Sequence, residues 1–391
     1  MKLAWLWCAA LAAAAVLLVA TDMRTRDPDS TLYARLSSDL ADQPVSRWIA
    51  PEWGGAWDQH GLFREHPVGI LIPSVLAIRA GFPREQAPYA VNMLYQAAVI
   101  VLIPLVAGVL ARRFEAQALA SVLQLLPIAF VYRIRGNQEH PLLMCVLALI
   151  YGAHRARSAR PWIWVPLMMA ALCFLVLIKG AFAMFAIAAA ALWLLVVPAP
   201  EGGSNLRGWT GLAVAVASAA LMAVGYEALY VRTTGESFVE FYRSTRLGES
   251  MRLGDPRLIP HAIVNAAWYL GRLAWFAAPW SLVAAAAAWM WMRASLSGAA
   301  AGTFVPPTRQ ALAWALLVTA VFIAVLSPAN VRAERFIFPV YFIIGGVGFV
   351  AAARSDARID TFAAGVARHP WLPIAVWFTT FLLSLGSRLM R

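Results

Sequence analysis

The sequence predicts an all-α, polytopic transmembrane protein, and three observations carry that prediction. Of 391 residues, 61% are hydrophobic and only 13% are charged, where soluble domains carry roughly a quarter charged residues. Mean hydropathy is +0.68. Apolar runs recur from end to end, each near the ~20 residues a helix needs to cross a bilayer core. No stretch has the composition of a soluble domain of about 100 residues or more, so a single membrane-embedded domain over 1–391 is expected, with no separate soluble domain.

The expected spans are 3–20, 88–111, 116–132, 141–154, 161–178, 181–198, 209–231, 265–291, 310–328, 335–353 and 370–387, about eleven in all. Met1-Lys2 and the apolar residues to Ala20 have the outline of a signal peptide, but Leu18 and Ala20 make a poor small-x-small cleavage site. An uncleaved first helix with a cytoplasmic amino terminus is expected. The run 67–82 is short and holds Pro73 and Arg79, which suits a juxtamembrane helix better than a span. Charge supports this. If 67–82 does not cross, Arg112-Arg113, the 155–160 arginines, Arg207, Arg293, Arg309, Arg354 and Arg358 all fall on the cytoplasmic side, as the positive-inside rule requires. The carboxyl terminus is then outside. The polar segments 21–87, 133–140 and 232–264 also face outward, with short turns at Lys179-Gly180 and 329–335.

Composition also excludes functions. The formal net charge is +12, but the arginines sit in short loops where they set topology or meet anionic lipid; no basic helix or aromatic-basic stripe suits nucleic acid. Cys8, Cys145 and Cys173 lie in apolar runs without paired spacing, so neither disulfides nor a cysteine metal site is expected. There is no P-loop, GxSxG, HExxH or dinucleotide fingerprint.

The outward segments hold the residues able to do chemistry. In Asp29-Ser30-Thr31-Leu32-Tyr33-Ala34, the spacing of Leu32, Leu36 and Leu40 predicts an interfacial helix over 30–41. Asp29 is placed as its N-cap or as a base at the membrane surface, two roles that are compatible. Glu65-His66-Pro67 could face a sugar hydroxyl, a phosphate or a metal, or simply lead into a helix with Pro67 at its first position. Arg133-Ile134-Arg135-Gly136-Asn137-Gln138-Glu139-His140 crowds polar side chains between two apolar helices, which is costly unless they meet water or one another. Lys179 could snorkel or serve the same face. Arg332 and Arg335 could clamp a phosphate, anchor the topology or pair with Glu334. Segment 232–264 alternates Glu236, Glu240, Arg243, Arg246, Glu249, Arg252, Asp255 and His261 with Phe238, Phe241 and Tyr242; it reads as a lid or acceptor surface.

In this order the pieces resemble the GT-C superfamily of lipid-dependent glycosyltransferases, with protein O-mannosyltransferases and bacterial aminoarabinose (lipid A) transferases as the nearest likeness. Asp29-Ser30-Thr31-Leu32-Tyr33-Ala34 matches a D-E-x-x-Y-A motif except that Ser30 replaces the second acid. Glu65-His66-Pro67-Val68 resembles E/H-[KH]-P-P, with Val68 for the second proline. Glu139 stands where the family places another acid, Lys179-Gly180 resembles its K-G, and Arg335-Phe336-Ile337-Phe338-Pro339 its R-Y-L-x-P. The resemblance covers roughly 1–200 and 330–350.

It implies an enzyme of a cell inner (plasma) membrane, its site extracytoplasmic, that moves a sugar from a polyprenyl-phosphate donor to a glycan, lipid or protein acceptor with inversion. Asp29 and Glu139 would be catalytic. His66, Lys179, Arg332 and Arg335 would hold the donor phosphate, and Glu65, Tyr33, Asn137 and His140 the substrate. No cofactor is required, although a divalent metal near Glu65 and His66 is compatible; the other partners are membrane lipids. A transporter or flippase for lipid-linked sugars would show internal repeats and mid-membrane charges, which are not evident. An O-antigen polymerase or ligase would lean on the arginines and histidine of 232–264.

Overall fold

The computed structural model describes residues 2–23, 27–52, 61–158, 160–247, 258–296 and 306–389. The elements within them are helical, apart from one isolated antiparallel bridge between Glu52 and Leu62. After α1 (Lys2–Ala20), α2 begins at Pro28 and runs to Ala41. Ahead of α3 (Ile72–Arg79) the described residues form two short 3₁₀ turns, Val45–Arg47 and Val68–Ile70, and α3 itself holds 8 residues, about 12 Å of helix. It is too short to cross a bilayer, in keeping with the juxtamembrane assignment of 67–82. It lies against α2: Arg79 donates to the carbonyls of Ala41 and Gln43, and Arg84 grips Asp42 through two bonds of 2.6 Å. These arginines satisfy the carbonyls that α2 leaves open at its carboxyl end.

α4 (Ala87–Ala107) and α7 (Glu139–Ala156) run in the same direction, since Asn92 meets His140 at their starts. Between them, residues 113–131 divide into α5 (Arg113–Val122), a 3₁₀ turn and α6 (Pro127–Val131), because Pro127 interrupts the ladder. α8 (Pro161–Lys179) returns to the starting end, where Lys179 meets Glu139. α9 (Ala183–Val196) goes back again: Trp193 donates to His154, and Arg157 donates to the carbonyls of Leu194 and Val197 at 2.7 and 2.6 Å. Although 161–196 is one unbroken helical stretch by composition, it is thus two passes joined by a reversal at Gly180. There φ is +54° and ψ −118°, a conformation open to glycine and costly for any other residue. Gly180→Ala is therefore expected to lower stability by about 1–3 kcal/mol and to move Lys179 away from Glu139. Thermal unfolding in detergent, with turnover measured alongside, checks both.

α10 (Asn205–Thr234) rises to the same end as Lys179 and is followed by the short α11 (Phe238–Phe241). α12 (Leu258–Phe276) and α13 (Trp280–Leu296) meet at a bend of 115°. α14 (Pro306–Leu326) climbs back and α15 (Phe338–Ser355) descends through the most buried part of the bundle. Gly348 of α15 lies so close to Trp280 that an added Cβ would overlap its carbonyl, the close approach that small residues permit between membrane helices. α16 (Ala357–Ala367) and α17 (Leu372–Leu389) bend by 94°.

Among the described residues, 6 helices are long and apolar enough to cross a membrane, or up to 8 with the bent pairs counted as spans. This is fewer than the eleven expected, for physical reasons. The 161–196 stretch counts once although it folds back, 116–132 is broken, and α7 carries Glu139, His140, His154 and Arg155, which dilute its apolar character. The chain is a multi-pass membrane protein.

The two ends of the bundle differ. At the far end Arg112 and Arg354 share the fully buried Glu115, and Arg112 also pairs with Asp360. Arg157 and Arg207 close the loops between α7, α8 and α10 there. The near end gathers almost all the residues expected to do chemistry.

Candidate active site

The site is built on the start of α2. An aspartate followed by proline is a strong helix opening, with proline at the first helical position, so α2 begins two residues earlier than the leucine spacing predicts. Its N-cap is Asp27, not Asp29. The Asp27 carboxylate accepts from the Ser30 amide at 3.2 Å and from the Ser30 hydroxyl at 2.7 Å. This corrects the capping role expected of Asp29, which lies in the first turn with its side chain free to reach outward. There it forms an ion pair with Arg335.

Ser30, standing where the related motif has an acid, is fully buried and joins two loops. Besides donating to Asp27, its oxygen accepts from the Gly136 amide at 3.0 Å. Arg135 pairs with Asp27 at 3.1 Å and lies over the Tyr132 ring at 4.3 Å. Gly136 is pressed against Pro88, whose Cβ an added side chain would meet at 2.7 Å. Asp27, Ser30, Arg135 and Gly136 clasp the first loop to the 133–140 segment. Asp27→Ala should remove the cap and the Arg135 partner together, costing about 1–2 kcal/mol, whereas Asp27→Asn should keep most of the cap. Comparing unfolding midpoints of the two variants checks this.

The 133–140 segment then presents its other residues to the site or to the core. Asn137 and Glu139 are each only 2% exposed; both amide atoms of Asn137 and Oε2 of Glu139 are buried without a hydrogen-bond partner. Buried polar atoms are ordinarily satisfied, so these are where a polar ligand would be met. Gln138 between them donates to the Ile178 carbonyl at 3.3 Å, fixing the stretch to the end of α8. The Lys179 ammonium sits 3.9 Å from Glu139 Oε1 and faces the rings of Phe182 and Phe336 at 5.0 and 5.7 Å. The sequence also suggested His140 as a substrate contact, but it turns into the core. Its ring packs on Phe338, and Nδ1 accepts from Asn92 at 3.4 Å. Arg133 is likewise internal, donating to Gln96 and Gln124.

Tyr33 and His66 make the floor. The His66 Nδ1–H donates to the Pro67 carbonyl at 3.0 Å, leaving Nε2 to accept from the Tyr33 hydroxyl at 2.8 Å; these partners assign the neutral tautomer. Burial, reinforced by the carboxylates of Glu139, Glu65 and Asp27, pushes the Tyr33 phenol well above its usual range. It stays protonated and donates. With both ring nitrogens engaged, His66 as it stands has none to offer a metal or phosphate. Among the described residues no three His, Cys, Asp or Glu side chains come together as a metal site. Gly69 packs on Leu177, which an added Cβ would meet at 2.7 Å, so the Glu65-His66-Pro67 turn is held directly against the Lys179 end of α8.

The two late arginines separate. Arg335 reaches Asp29, but Arg332 is exposed, and Glu334 accepts from the Tyr132 hydroxyl at 3.4 Å. Segment 232–247 closes one side: Glu236 pairs with the buried Arg64, which also lies 4.7 Å from the Phe241 ring. The side chains of Arg246, Glu249, Arg252 and Asp255 lie outside the described residues. His261, suggested with them, contacts the Ala329 carbonyl at 3.3 Å, beside Asn265, which donates to Ser327 and Ala329.

Below this anchor an apolar groove of about 650 Å³ runs between α12 and α14, lined by Ile259, Ile263, Leu270, Leu316 and Ile323 and ending at Ser327-Pro328. The loop that leaves this end carries Arg332 and Arg335. Sequence reasoning missed Asp27 and Arg135 as members of the site. The Asp-Pro pair was a signal for the first; the polar crowding of 133–140 marked the stretch that holds Arg135, but not its partner.

Comparison with known proteins bears on the fold. The family of dolichyl-phosphate-mannose-protein mannosyltransferases matches residues 67–230. Among solved structures, ArnT from Cupriavidus metallidurans, in the apo state, superposes with a TM-score of 0.59 at 17% identity, over 98% of this chain and 76% of that one. ArnT bound to undecaprenyl phosphate gives 0.59 at 16% identity with the same coverage. The Archaeoglobus fulgidus oligosaccharyltransferase in its apo form gives 0.56 at 12% identity, over 97% of this chain and 56% of that one. No match was found among curated protein sequences. The family match covers 67–230, and over nearly its whole length the chain shares the fold of ArnT and of the archaeal oligosaccharyltransferase.

Proposed function

We propose that this protein transfers a sugar from a polyprenyl-phosphate donor to a hydroxyl acceptor on a glycan, lipid or protein, at the extracytoplasmic face of a cell's inner membrane. The observation that carries the proposal is the Asp29–Arg335 ion pair, whose arginine is carried by the loop that follows Ser327-Pro328 at the end of the α12–α14 groove. A carboxylate and a guanidinium are held together there, and a lipid tail seated in that groove would direct its phosphate toward this loop. The family matched over 67–230 is described by a dolichyl-phosphate sugar, and a structural neighbour is bound to undecaprenyl phosphate; both support a lipid-phosphate donor. The basic far end supports the orientation, because positive residues are retained in the cytoplasm.

The chemistry follows from these groups. The polyprenyl tail lies in the groove and its phosphate meets Arg335, whose planar fork matches phosphate oxygens. Arg335 then exchanges its carboxylate partner for the phosphate and frees Asp29 to take a proton. The acceptor oxygen attacks the anomeric carbon as Asp29 removes its hydrogen. The bond between that carbon and the phosphate oxygen breaks, and the electron pair leaves with the lipid phosphate. Lys179, with Arg332 at the exposed rim, adds positive charge where the leaving group becomes more negative. Glu139 and Asn137 bind sugar hydroxyls with their unpartnered atoms. Tyr33 and His66 hold the first loop in place through each other rather than through substrate. No step calls for a metal.

One displacement inverts the anomeric centre. The test is the product's anomeric configuration after a single round of transfer, read by NMR. An inverted linkage is expected, and a retained one would overturn the single-displacement scheme.

A further inference from the structure

A lipid tail in the groove and the guanidinium that meets its phosphate belong to different elements, so one must be fixed against the other. Resting on the transferase reading above, we propose that Asn265 of α12 is a positioning residue, setting the register between a tail in the α12–α14 groove and the Arg335 guanidinium.

The helix shows two working faces. Ile259, Ala262, Ile263, Ala266 and Leu270 line the groove. His261, Asn265 and Tyr269, four residues apart and so on one side of the helix, turn instead to the segment that follows α14. Asn265 is fully buried and spends both amide hydrogens there, donating to the carbonyls of Ser327 and Ala329 at 2.8 Å each. Because α14 ends at Leu326, these buried carbonyls have no helical N–H to meet and take theirs from α12. His261 contacts the Ala329 carbonyl at 3.3 Å, and Tyr269 is buried beside Ala333 and Arg332. Ser327 and Pro328 are themselves groove residues, and the loop they begin runs on to Arg335 and its partner Asp29. Near the loop's other end, Glu334 accepts from the Tyr132 hydroxyl at 3.4 Å.

The consequence is geometric. A tail seated in the groove limits where its phosphate can stand, and the 327–335 loop sets where the guanidinium stands. Asn265 belongs to the helix that walls the groove and holds the first carbonyls of the loop, so it joins the two. Without its donors those carbonyls are buried unpaired, and the start of the loop is free to shift against α12. A displacement of about 1 Å at reacting groups costs about 100-fold in rate. A donor with a short tail is not held by the groove and follows the arginine wherever it lies. The loss therefore falls on donors anchored by a long tail.

The test follows lipid-phosphate release by the full chain in nanodiscs. The donors carry mannose, glucose or arabinose, each on a prenyl phosphate of two or of eleven isoprene units, and the sugar that the wild type transfers is used throughout. Asn265→Leu keeps the approximate shape and removes the donors. It is expected to lower kcat for the long-tail donor about tenfold or more, with KM and the short-tail kcat each changing less than about threefold. In an Arg335→Met background the same substitution is expected to cost less than about threefold with the long-tail donor, because the group it acts through is gone. Equal slowing of both donors, a loss carried by KM, or an undiminished loss in the Arg335→Met background overturns the inference and leaves the transferase reading standing. So does wild-type turnover in Asn265→Leu. Should Asn265→Leu fail to fold, Asn265→Ala, which adds no bulk, is read by the same criteria. Failure of the wild type to cleave any of the donors overturns the transferase reading, and this inference with it.

Discussion

Asp29→Asn is expected to slow sugar transfer by about 100-fold or more, the range typical for loss of a general base, while leaving the fold intact. The structure separates this residue from its neighbour. Asp27 caps α2 and holds Arg135, so its loss acts on stability and loop position. Asp29 neither caps nor packs; it is 27% exposed on its side chain and touches Arg335. Asparagine preserves its size and can still accept from the guanidinium, but it cannot take a proton. The expected signature is therefore a fall in kcat with little change in donor KM and no change in unfolding midpoint. A variant that loses donor binding instead would assign Asp29 to positioning, not proton transfer.

Arg335→Met carries the second large effect. The guanidinium is the cation paired with Asp29, so it is expected to stabilise charge on the departing lipid phosphate. Loss of one such group costs about 100- to 1,000-fold in kcat. Arg335→Lys should recover part of this, since an ammonium supplies charge without the bidentate fork. Binding of polyprenyl phosphate alone, without sugar, should weaken about tenfold or more in Arg335→Met, following the strength of charge-assisted bonds. Combining Arg335→Met with Asp29→Asn should cost much less than the product of the single effects, because residues that act as one unit are not additive. Additive losses would mean that the pair in the resting structure has no bearing on turnover.

Much of this arrangement was legible in the sequence because membranes impose strong rules. Apolar length marked the helices, and the arginine distribution placed 67–82 along the surface; the 8-residue α3 agrees. The reversal at Lys179-Gly180 was readable as two spans meeting at a short turn, and the glycine's φ of +54° explains why that residue is needed. The start of α2 was misplaced because leucine periodicity outweighed the Asp27-Pro28 opening, and that shifted the capping role by two residues. His140 was drawn outward by its polarity, when the Asn92 amide and the Phe338 ring offer it a satisfied place inside. Long-range pairs were beyond reach. Nothing near Asp29 says that Arg335 rather than Arg332 will meet it, or that Ser30 will accept from Gly136 across 106 positions. Those contacts depend on how α2, α7 and α15 come together at one end of the bundle. A sequence window sees only one of them at a time.

The central claim is that the Asp29–Arg335 end of the bundle breaks the bond between a sugar and a lipid phosphate. Its most direct measurement is made in proteoliposomes holding a labelled polyprenyl-phosphate sugar, where release of lipid phosphate and movement of the intact donor across the bilayer are followed together. The wild type is expected to release lipid phosphate and glycosylate an acceptor, and Asp29→Asn to abolish most of that release. Movement of the intact donor without any release, or release undiminished in Asp29→Asn, would contradict the account.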